Sequence, residues 1–205
     1  LLVRFFPNLK LVYSRKRNNM IHKNIFKVLK YNNRRIDRIL CVSNAVKEVL
    51  IPVLNSKTKV EVIYDGINVS EFSKFSDTGI LREDYNIPQD TFIIGNIAGL
   101  TRQKDLFTFL NSAKIIINHS DKEFVFLIVG QGPLEEELKE YSKSLGIEKY
   151  VIFTGFRNDI ANILPELNLF LLSSETEGLP LSIMEAFAAR VPVVATAAGG
   201  TGEPI

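Results

Sequence analysis

The amino-acid sequence predicts an α/β protein in which parallel sheets are covered by helices on both faces. From residue 89 onward, short apolar runs alternate with amphipathic stretches at a spacing of roughly 25 residues, the pattern of repeated β-α units. The runs are apolar at odd and even positions alike, as in strands that are buried on both faces. With 46% of its 205 residues hydrophobic, the chain can build a packed core.

The second half of the chain is predicted to alternate between strands and helices. Strands are expected in "TFIIGNIAGL", "FVFLIVG", "YVIFTG", "LNLFLLSS" and "VPVVAT". The helix "DLFTFLNSAKIIINH" has Leu106, Leu110 and Ala113 on one face. The helix "GPLEEELKEYSKSLG" has Pro133 at its start and Gly146 as its stop. Two shorter helices are expected in "NDIANIL" and "LSIMEAFAAR".

The first part of the chain has a similar rhythm with weaker punctuation. Strands are predicted in "LKLVYS", "RILCVS" and "KVEVIYDGI", and helices in "HKNIFKVLKYNNR" and "NAVKEVLIPVL". The second of these helices is capped by Ser43 or Asn44. Residues 66–88 are polar and broken, which is typical of a connection between two domains.

Composition and charge limit the function classes. The single cysteine, Cys41, excludes a disulfide within the chain, and its apolar run indicates a buried strand residue. No apolar run is long enough to span a membrane, and the first residues lack a secretory signal. Residues 1–40 carry a net charge of +10, which leaves −8 for residues 41–205. This bias suits an anionic membrane surface, a phosphate-bearing ligand or a solvated face; nucleic acid is disfavoured because stacking aromatic residues are not interleaved.

Glycine-rich and polar clusters follow each predicted strand of the second half. They are "GNIAGLTRQK", "GQGP", "TGFRND", "SSETEGLP" and "TAAGGTGE". Ligands of open parallel sheets bind beyond the carboxyl ends of the strands, so these clusters predict a site at that edge. Some glycines are expected there simply because turns need positive φ angles.

The ligand predicted from the residues is a diphosphate that carries a polyol. Gly178 to Pro180 lead into a helix whose first N–H groups suit phosphate, and Lys104 would neutralise charge. Glu177 and Glu185 would then accept hydrogen bonds from sugar hydroxyls. A glycosidase pair is disfavoured because eight residues of helix would separate the two carboxylates by about 12 Å. For Glu185 alone, a solvent-facing helix position is the alternative, although its neighbours are mostly apolar.

Several other kinds of site are not indicated by the sequence. An Asp-x-Asp pair is missing and the two histidines stand alone, so we expect no metal. "GQGP" lacks the third glycine of a dinucleotide fingerprint, and a G-x-S-x-G nucleophile turn is missing. A nicotinamide enzyme and a serine hydrolase are therefore poor interpretations.

Taken together, the motifs resemble those of the group 1 retaining glycosyltransferases, enzymes of two Rossmann-like domains in the GT-B architecture. The family's donor-site signature is similar to "ETEGLPLSIMEAFAARVPVVATAAGG", with its Glu-x7-Glu pair and "PVVAT". Gly199, Gly200 and Glu203 of "GGTGE" follow in the family's order and spacing. The family's earlier strand ends resemble "IAGLTRQKD", "VGQGPLEEEL" and "VIFTGFRNDI". The combination is highly specific, whereas any one motif alone is weak.

The resemblance extends into the first part of the chain. The end of the family's acceptor domain and the crossing to its donor domain are similar to "RIDRILCVSNAVKEVL" and "KVEVIYDGINVSEF", and one branch has an "SRR" segment like "YSRKRNN". The resemblance therefore implies an acceptor-side domain with the start of a linker in residues 1–75, and a nucleotide-sugar-binding domain in residues 76–205. Because the chain starts at Leu1 and stops at "TGEPI", we expect a fragment in which both domains are incomplete.

The resemblance also implies residue roles. Lys104 and Glu177 are the catalytic candidates: Lys104 would stabilise the leaving diphosphate and Glu177 would face the transferred sugar. Glu185 would hold the ribose hydroxyls, and Phe156 with Arg157 would lie beside the base. The backbone of one further segment would bind the distal phosphate and the sugar; its residues are Gly178, Leu179, Pro180 and Leu181.

Two positions depart from the family pattern. The usual arginine, five residues before the lysine, is Gly99 here, and Arg102 is its candidate substitute. Asp65 stands where many members have asparagine. Gly99, Arg102 and Gly130 complete the expected donor-binding set. These departures bear on rate and donor choice more than on the class of protein.

The expected function is transfer of a sugar from a nucleotide sugar, UDP- or GDP-linked, to an acceptor hydroxyl, with retention of configuration and without a metal or other cofactor. The expected acceptor is a glycan or a lipid-linked glycan in polysaccharide or glycolipid biosynthesis. The expected location is the cytoplasm, at the inner face of an anionic cell membrane. The alternative is a non-catalytic nucleotide-sugar-binding or scaffold protein of the same fold, which Gly99 favours.

Overall fold

The computed structural model describes residues 8–21, 25–55, 59–73 and 78–204. These residues pack as two compact units, which are described separately. The first unit draws on Leu1–Asp65, Thr176–Pro180 and Ala197–Ile205, and the second on Gly66–Glu175 and Leu181–Thr196. The predicted boundary between residues 75 and 76 lies outside the described residues.

The first unit is built on a parallel sheet with the strand order β1-β2-β3. Its described elements are β1 (Leu11–Arg15), α1 (Ile25–Tyr31), β2 (Ile36–Cys41), α2 (Asn44–Leu50) and β3 (Val60–Val62). Ser43 caps α2, since its backbone is extended and its side chain accepts a hydrogen bond from the Val46 N–H. Cys41 is fully buried beside Ile39, as expected from its apolar run.

The second unit is built on a parallel sheet with the strand order β6-β5-β4-β7-β8. Its described strands are β4 (Phe92–Ile97), β5 (Phe124–Val129), β6 (Val151–Gly155), β7 (Leu169–Leu172) and β8 (Val193–Ala195). Its described helices are α3 (Val69–Phe72), α4 (Ile80–Tyr85), α5 (Leu106–Asn118), α6 (Glu135–Ser144), α7 (Ile160–Ile163) and α8 (Leu181–Ala188). The strand order reverses at β4, which places a crevice at the carboxyl ends of β4 and β7.

The second sheet is covered on both faces, as the apolar runs predict. Ile93 of β4 and Leu127 of β5 pack in one core with Ile183 of α8. Their neighbours Ile94 and Phe126 pack in the other core, against α5 and α6. Adjacent residues of one strand therefore enter different cores, which is why odd and even positions are both apolar.

The polar stretch expected between two domains contains α3 and α4, with Phe72 and Leu81 packed in the core of the second unit. Buried Glu166 accepts hydrogen bonds from the Leu81 N–H at 3.0 and 3.2 Å, and from the Thr78 hydroxyl at 2.7 Å. Phe72, Leu81 and the hydrogen bonds to Glu166 thus attach this mostly polar stretch to the second unit. Within the described ranges, every helix is too short or too polar to cross a membrane.

Candidate functional site at the carboxyl edge of the second sheet

A pocket of about 360 Å³ lies beyond the carboxyl ends of β4, β5 and β6. Four of the predicted donor-binding residues line it: Gly99, Gly130, Phe156 and Arg157. The other lining residues are Ile97, Ala98, Val129, Gln131 and Ile160. The structure thus brings together residues that come from three separate loops of the sequence, at the edge where ligands of parallel sheets bind.

Gly130 allows the loops after β4 and β5 to touch. Its φ angle is +137°, and a Cβ atom there would lie 2.0 Å from the carbonyl oxygen of Ala98. Its N–H donates to the carbonyl of Gly155, at the end of β6, at 2.9 Å. Any larger residue would push these strand ends apart, so the floor of the pocket depends on glycine at this position.

Arg157 forms a fixed wall of the pocket. Its guanidinium donates two hydrogen bonds to Asp159, at 2.9 and 2.7 Å, and one to Asp84 at 2.7 Å. The hydrogen bonds to Asp159 and then to Asp84 raise the pKa of Arg157, and the same pairing lowers the pKa of Asp159. Phe156 is 71% exposed, so most of its surface is accessible to a ligand. Neither carboxylate was singled out from the sequence; the Arg-x-Asp spacing of "RND" was the available signal for Asp159.

Lys104 ends a short 3-10 turn, Arg102–Lys104, that follows β4. Buried Ser173, just after β7, donates hydrogen bonds to the carbonyls of Lys104 at 3.1 Å and Asp105 at 2.8 Å. The N–H of Glu175 also donates to the carbonyl of Gln103 at 2.9 Å. The loop after β7 therefore fixes the backbone of Lys104 at the crevice. Ser173 was missed from the sequence because nothing in "SS" distinguishes it from an ordinary loop serine.

Arg102, the candidate substitute for the arginine expected at position 99, is the first residue of this turn. Gly99 precedes the turn. Arg102 has a side chain that is 79% exposed, and its ion pair with Glu137 is 3.8 Å long. An exposed pair of this length contributes little to stability. At Gly99, the nearest atom to an added Cβ is the Gln131 carbonyl oxygen at 3.9 Å, an ordinary contact. A Cβ atom therefore fits at position 99 without a clash.

Glu185 is a half-buried acid on α8, next to buried Ala186. Its pKa is raised, first by burial and then by the negative charge of Glu71 on α3. In the described part of the chain, its carboxylate has neither a hydrogen bond nor an ion pair. A half-buried acid beside a second acid destabilises the fold, so its position is better explained by a ligand than by packing. Leu181, at the start of the same helix, is 36% exposed.

The other predicted residues, Glu177, Gly178, Leu179 and Pro180, belong to the first unit. Glu177 is buried, and its carbonyl accepts a hydrogen bond from the Gly200 N–H at 3.0 Å. Leu179 packs against the core of the first unit. The loop is thus held by a backbone hydrogen bond and by the packing of Leu179.

Among the described residues, no group of three His, Cys, Asp or Glu side chains could hold a metal ion. A second pocket, of about 710 Å³, lies at the opposite edge of the second sheet, where β4, β5 and β6 begin. Its lining includes Pro88, Phe92, Lys122, Lys149 and Tyr150. It is larger than the pocket at the carboxyl edge, but it contains none of the residues that the sequence assigns to a ligand. We therefore place the candidate site at the carboxyl edge.

Comparison with known families identifies the family of this chain. The family model for glycosyl transferases group 1 matches residues 77–205. The chain is 34% identical over 167 residues to the Escherichia coli UDP-Gal:alpha-D-GlcNAc-diphosphoundecaprenol alpha-1,3-galactosyltransferase, which covers 80% of this chain and 43% of that protein. It is 26% identical over 178 residues to the N-acetyl-alpha-D-glucosaminyl L-malate synthase of Bacillus anthracis, covering 87% of this chain and 46% of that protein. The chain thus spans less than half the length of these relatives.

Comparison with solved structures gives the fold. The structure is similar to the crystal structure of Anabaena HepE in complex with UDP and glucose, with a TM-score of 0.84 and 23% sequence identity. The likeness covers 98% of this chain and 57% of that chain. It confirms the fold class predicted from the sequence, α/β with the GT-B architecture.

Proposed function

Because the chain belongs to the group 1 glycosyl transferases, we propose that the complete protein moves a sugar from a nucleoside-diphosphate sugar to an acceptor hydroxyl. The observation that carries the proposal is Glu185: a half-buried carboxylate on α8 that has no hydrogen bond or ion pair to any described residue, with its pKa raised by burial. Such a group is suited to accept hydrogen bonds from the two hydroxyls of a ribose. We assign Glu185 this role.

The pocket at the carboxyl edge suits the nucleotide base. Phe156 offers an exposed ring for stacking, and Arg157 is held rigid by Asp159 and Asp84. Because the guanidinium charge is already neutralised by two carboxylates, Arg157 acts as a wall of the pocket rather than as a phosphate-binding cation. Gly130, where a Cβ atom would meet the Ala98 carbonyl, keeps the floor of the pocket low enough for a flat ring.

The diphosphate and the sugar are assigned to the remaining residues. The backbone around Gly178 to Leu181 binds the distal phosphate, and the positive end of the helix dipole of α8 favours this charge. Lys104 stabilises the negative charge that develops on the leaving diphosphate. Glu177 faces the sugar that is transferred. In this assignment, Lys104 and backbone N–H groups bind the diphosphate, whereas the carboxylates of Glu177 and Glu185 bind hydroxyls.

The proposed reaction retains the anomeric configuration. The bond between the anomeric carbon and the phosphate oxygen breaks as Lys104 and the N-terminus of α8 stabilise the leaving group. The acceptor hydroxyl then attacks the same face of the oxocarbenium-like sugar, and its proton passes to an oxygen of the departing diphosphate. We do not assign Glu177 as a nucleophile, and no step requires a metal or another cofactor.

UDP is the first donor nucleotide to test. The name of the Escherichia coli relative contains UDP-Gal as donor and a diphosphoundecaprenol-linked sugar, and the Anabaena structure contains UDP and glucose. We accordingly propose a UDP sugar, with GDP sugars as the second choice, and a glycan or lipid-linked glycan as acceptor.

The first unit suggests where the acceptor is met. Helix α1 exposes three large apolar side chains, Ile25, Phe26 and Leu29, which are 69%, 80% and 63% exposed. Its sequence also contains two lysines, within the basic first forty residues. We propose peripheral binding to the anionic inner face of the cell membrane. Co-sedimentation of the complete protein with vesicles should rise with their content of anionic lipid; binding independent of that content would contradict the proposal.

The test of the function is a donor screen on the complete protein. UDP-glucose, UDP-galactose, UDP-N-acetylglucosamine and GDP-mannose are supplied with a lipid-linked acceptor and EDTA, and both sugar transfer and donor hydrolysis are measured. We expect transfer from at least one donor, and an α-linked product from an α-linked donor by NMR. Lys104→Met should lower kcat by about 10²–10³-fold, whereas Lys114→Met, on α5, should not.

A second candidate function is a nucleotide-sugar-binding protein without transferase activity. Gly99 favours it, because a cation that usually assists the lysine is missing. Binding of a nucleotide sugar with neither transfer nor hydrolysis of any donor would establish this alternative and refute the enzyme proposal.

A further inference from the structure

Glu203 connects two distant segments of the first unit. One of its carboxylate oxygens accepts hydrogen bonds from the N–H of Asn44 at 2.7 Å and from the Asn44 side chain at 3.1 Å. The other oxygen accepts from the N–H of Ala45 at 2.8 Å. The Asn44 side chain also donates to the hydroxyl of Tyr64 at 2.7 Å. A single carboxylate thus binds the first two N–H groups of α2.

Helix α2 does not depend on Glu203 for its cap. Ser43 is the N-cap residue, and its hydroxyl accepts from the Val46 N–H at 3.2 Å. Glu203 takes the Asn44 and Ala45 N–H groups that an N-cap leaves unsatisfied, and their partial positive charge favours a carboxylate. Its contribution is therefore to locate a remote segment on the helix rather than to start the helix.

The segment that Glu203 locates is the short 3-10 turn Gly199–Gly202. The N–H of Glu203 donates to the carbonyl of Gly200 at 3.2 Å, which joins the carboxylate to the turn. Gly200 and Thr201 are buried. The N–H of Gly200 in turn donates to the carbonyl of Glu177 at 3.0 Å. A continuous chain of hydrogen bonds thus leads from α2 through Glu203 and the turn to the loop of Glu177.

Two glycines along this chain are in close contact with neighbouring backbone. A Cβ atom on Gly200 would lie 2.0 Å from the carbonyl oxygen of Gly178, and a Cβ atom on Gly178 would lie 2.0 Å from that of Lys16. The loop is therefore layered between the residues that follow β1 and the glycine turn. A displaced turn would remove the contacts on one side of the loop, while Lys16, Val42 and the core around Leu179 would remain on the other.

We infer that Glu203 is a positioning residue for the loop Glu177–Leu179, and that it prepares this loop to bind the distal phosphate and sugar of the donor. The inference rests on the proposed function, which assigns that loop to the donor. Glu203 itself binds α2 and touches no reacting atom. Its loss should therefore affect ligands that reach the loop and spare ligands that do not.

The experiment compares three ligands that differ in how far they extend. UMP ends at the phosphate nearest the ribose, UDP adds the distal phosphate, and UDP-glucose adds the sugar. Glu203→Ala in the complete protein should weaken UDP and UDP-glucose binding at least tenfold in calorimetry, and leave UMP binding within about twofold. Glu203→Gln, which keeps the shape and one acceptor oxygen, should recover part of the loss. Glu61→Ala removes an exposed ion pair to Arg38 in the same unit and serves as the matched control.

Three other outcomes are possible, and each would overturn the inference. Equal UDP-glucose affinities for the wild type and Glu203→Ala would overturn the inference. An equal loss for UMP, UDP and UDP-glucose, together with a lowered Tm, would also overturn it, because it would show a purely structural role. If the wild-type protein binds UMP, UDP and UDP-glucose with no measurable affinity, the UDP-sugar function fails first, and the inference falls with it.

Discussion

Replacing Glu185 by glutamine should weaken donor binding and, at the same time, stabilise the folded protein. The carboxylate is half-buried on α8 and, in the described part of the chain, lacks a hydrogen bond or an ion pair. Burial and the nearby charge of Glu71 raise its pKa. A group that binds a ligand but destabilises the fold should behave in this way: its replacement lowers donor affinity and raises the free energy of unfolding.

The expected loss of affinity follows from the number and type of hydrogen bonds. A hydrogen bond to a charged acceptor contributes about 1.5–3 kcal/mol, and one to a neutral acceptor about 0.5–1.5 kcal/mol. With two ribose hydroxyls, the change from carboxylate to amide loses roughly 2 kcal/mol, which is about a thirtyfold increase in Kd. Calorimetric titration of the complete protein with UDP-glucose measures this change directly.

The stability effect depends on pH with a definite sign. The pKa of Glu185 lies above its ordinary value of 4.5 in the folded state, so the folded protein binds the proton more tightly than the unfolded chain does. Stability contributed by the protonated form is therefore lost as the pH rises through the raised pKa. The glutamine variant, which stays neutral, should have the higher Tm at pH 7, and the difference should disappear below pH 4.5.

The matched control is Glu140→Gln on α6. Its carboxylate is 69% exposed and forms an exposed ion pair with Lys143 at 2.7 Å, so neither the Kd for the donor nor the Tm should change appreciably. Equal donor affinities for the two variants would remove Glu185 from the site. A lower Tm of Glu185→Gln at pH 7 would refute the reasoning from burial.

Three other changes test separate parts of the account. Gly99→Arg should raise kcat by about tenfold, because a second cation near the diphosphate stabilises the leaving group; an unchanged kcat in steady-state assays would contradict this. Gly130→Ala should lower the free energy of unfolding by at least about 2 kcal/mol, since its Cβ would meet the Ala98 carbonyl, whereas Gly66→Ala, with open space around it, should not. Urea titration measures both. Phe156→Ala should weaken UDP binding by about 1–3 kcal/mol if the base stacks there, and an unchanged calorimetric Kd would refute the stacking.

The sheets could be predicted from the sequence because strands that are covered on both faces need apolar residues at every position. Phe126 and Leu127 of β5 enter different cores, and both are fully buried. Helix ends were harder to predict. The stretch "NAVKEVLIPVL" reads as one helix, but α2 ends at Leu50, and a 3-10 turn, Ile51–Val53, follows with Pro52 within it.

The residues of the candidate site could be predicted from their types and loop positions. The partners that hold them in place could not. Gly99, Gly130 and Phe156 each follow a strand, and parallel strands bring their carboxyl ends to one edge. The partner Asp84 lies on α4, 73 positions before Arg157, and local periodicity holds no information on such a contact. The contact between Glu203 and the start of α2 spans 159 positions, so it could not be predicted for the same reason.

A crystal structure of the complete protein with UDP would test the central claim most directly. We predict that the ribose hydroxyls bind the carboxylate of Glu185 and that the base stacks on Phe156 in the pocket beyond β4, β5 and β6. UDP bound instead at the opposite edge of the sheet, in the larger pocket beside Lys122 and Lys149, would contradict the assignment of the donor site.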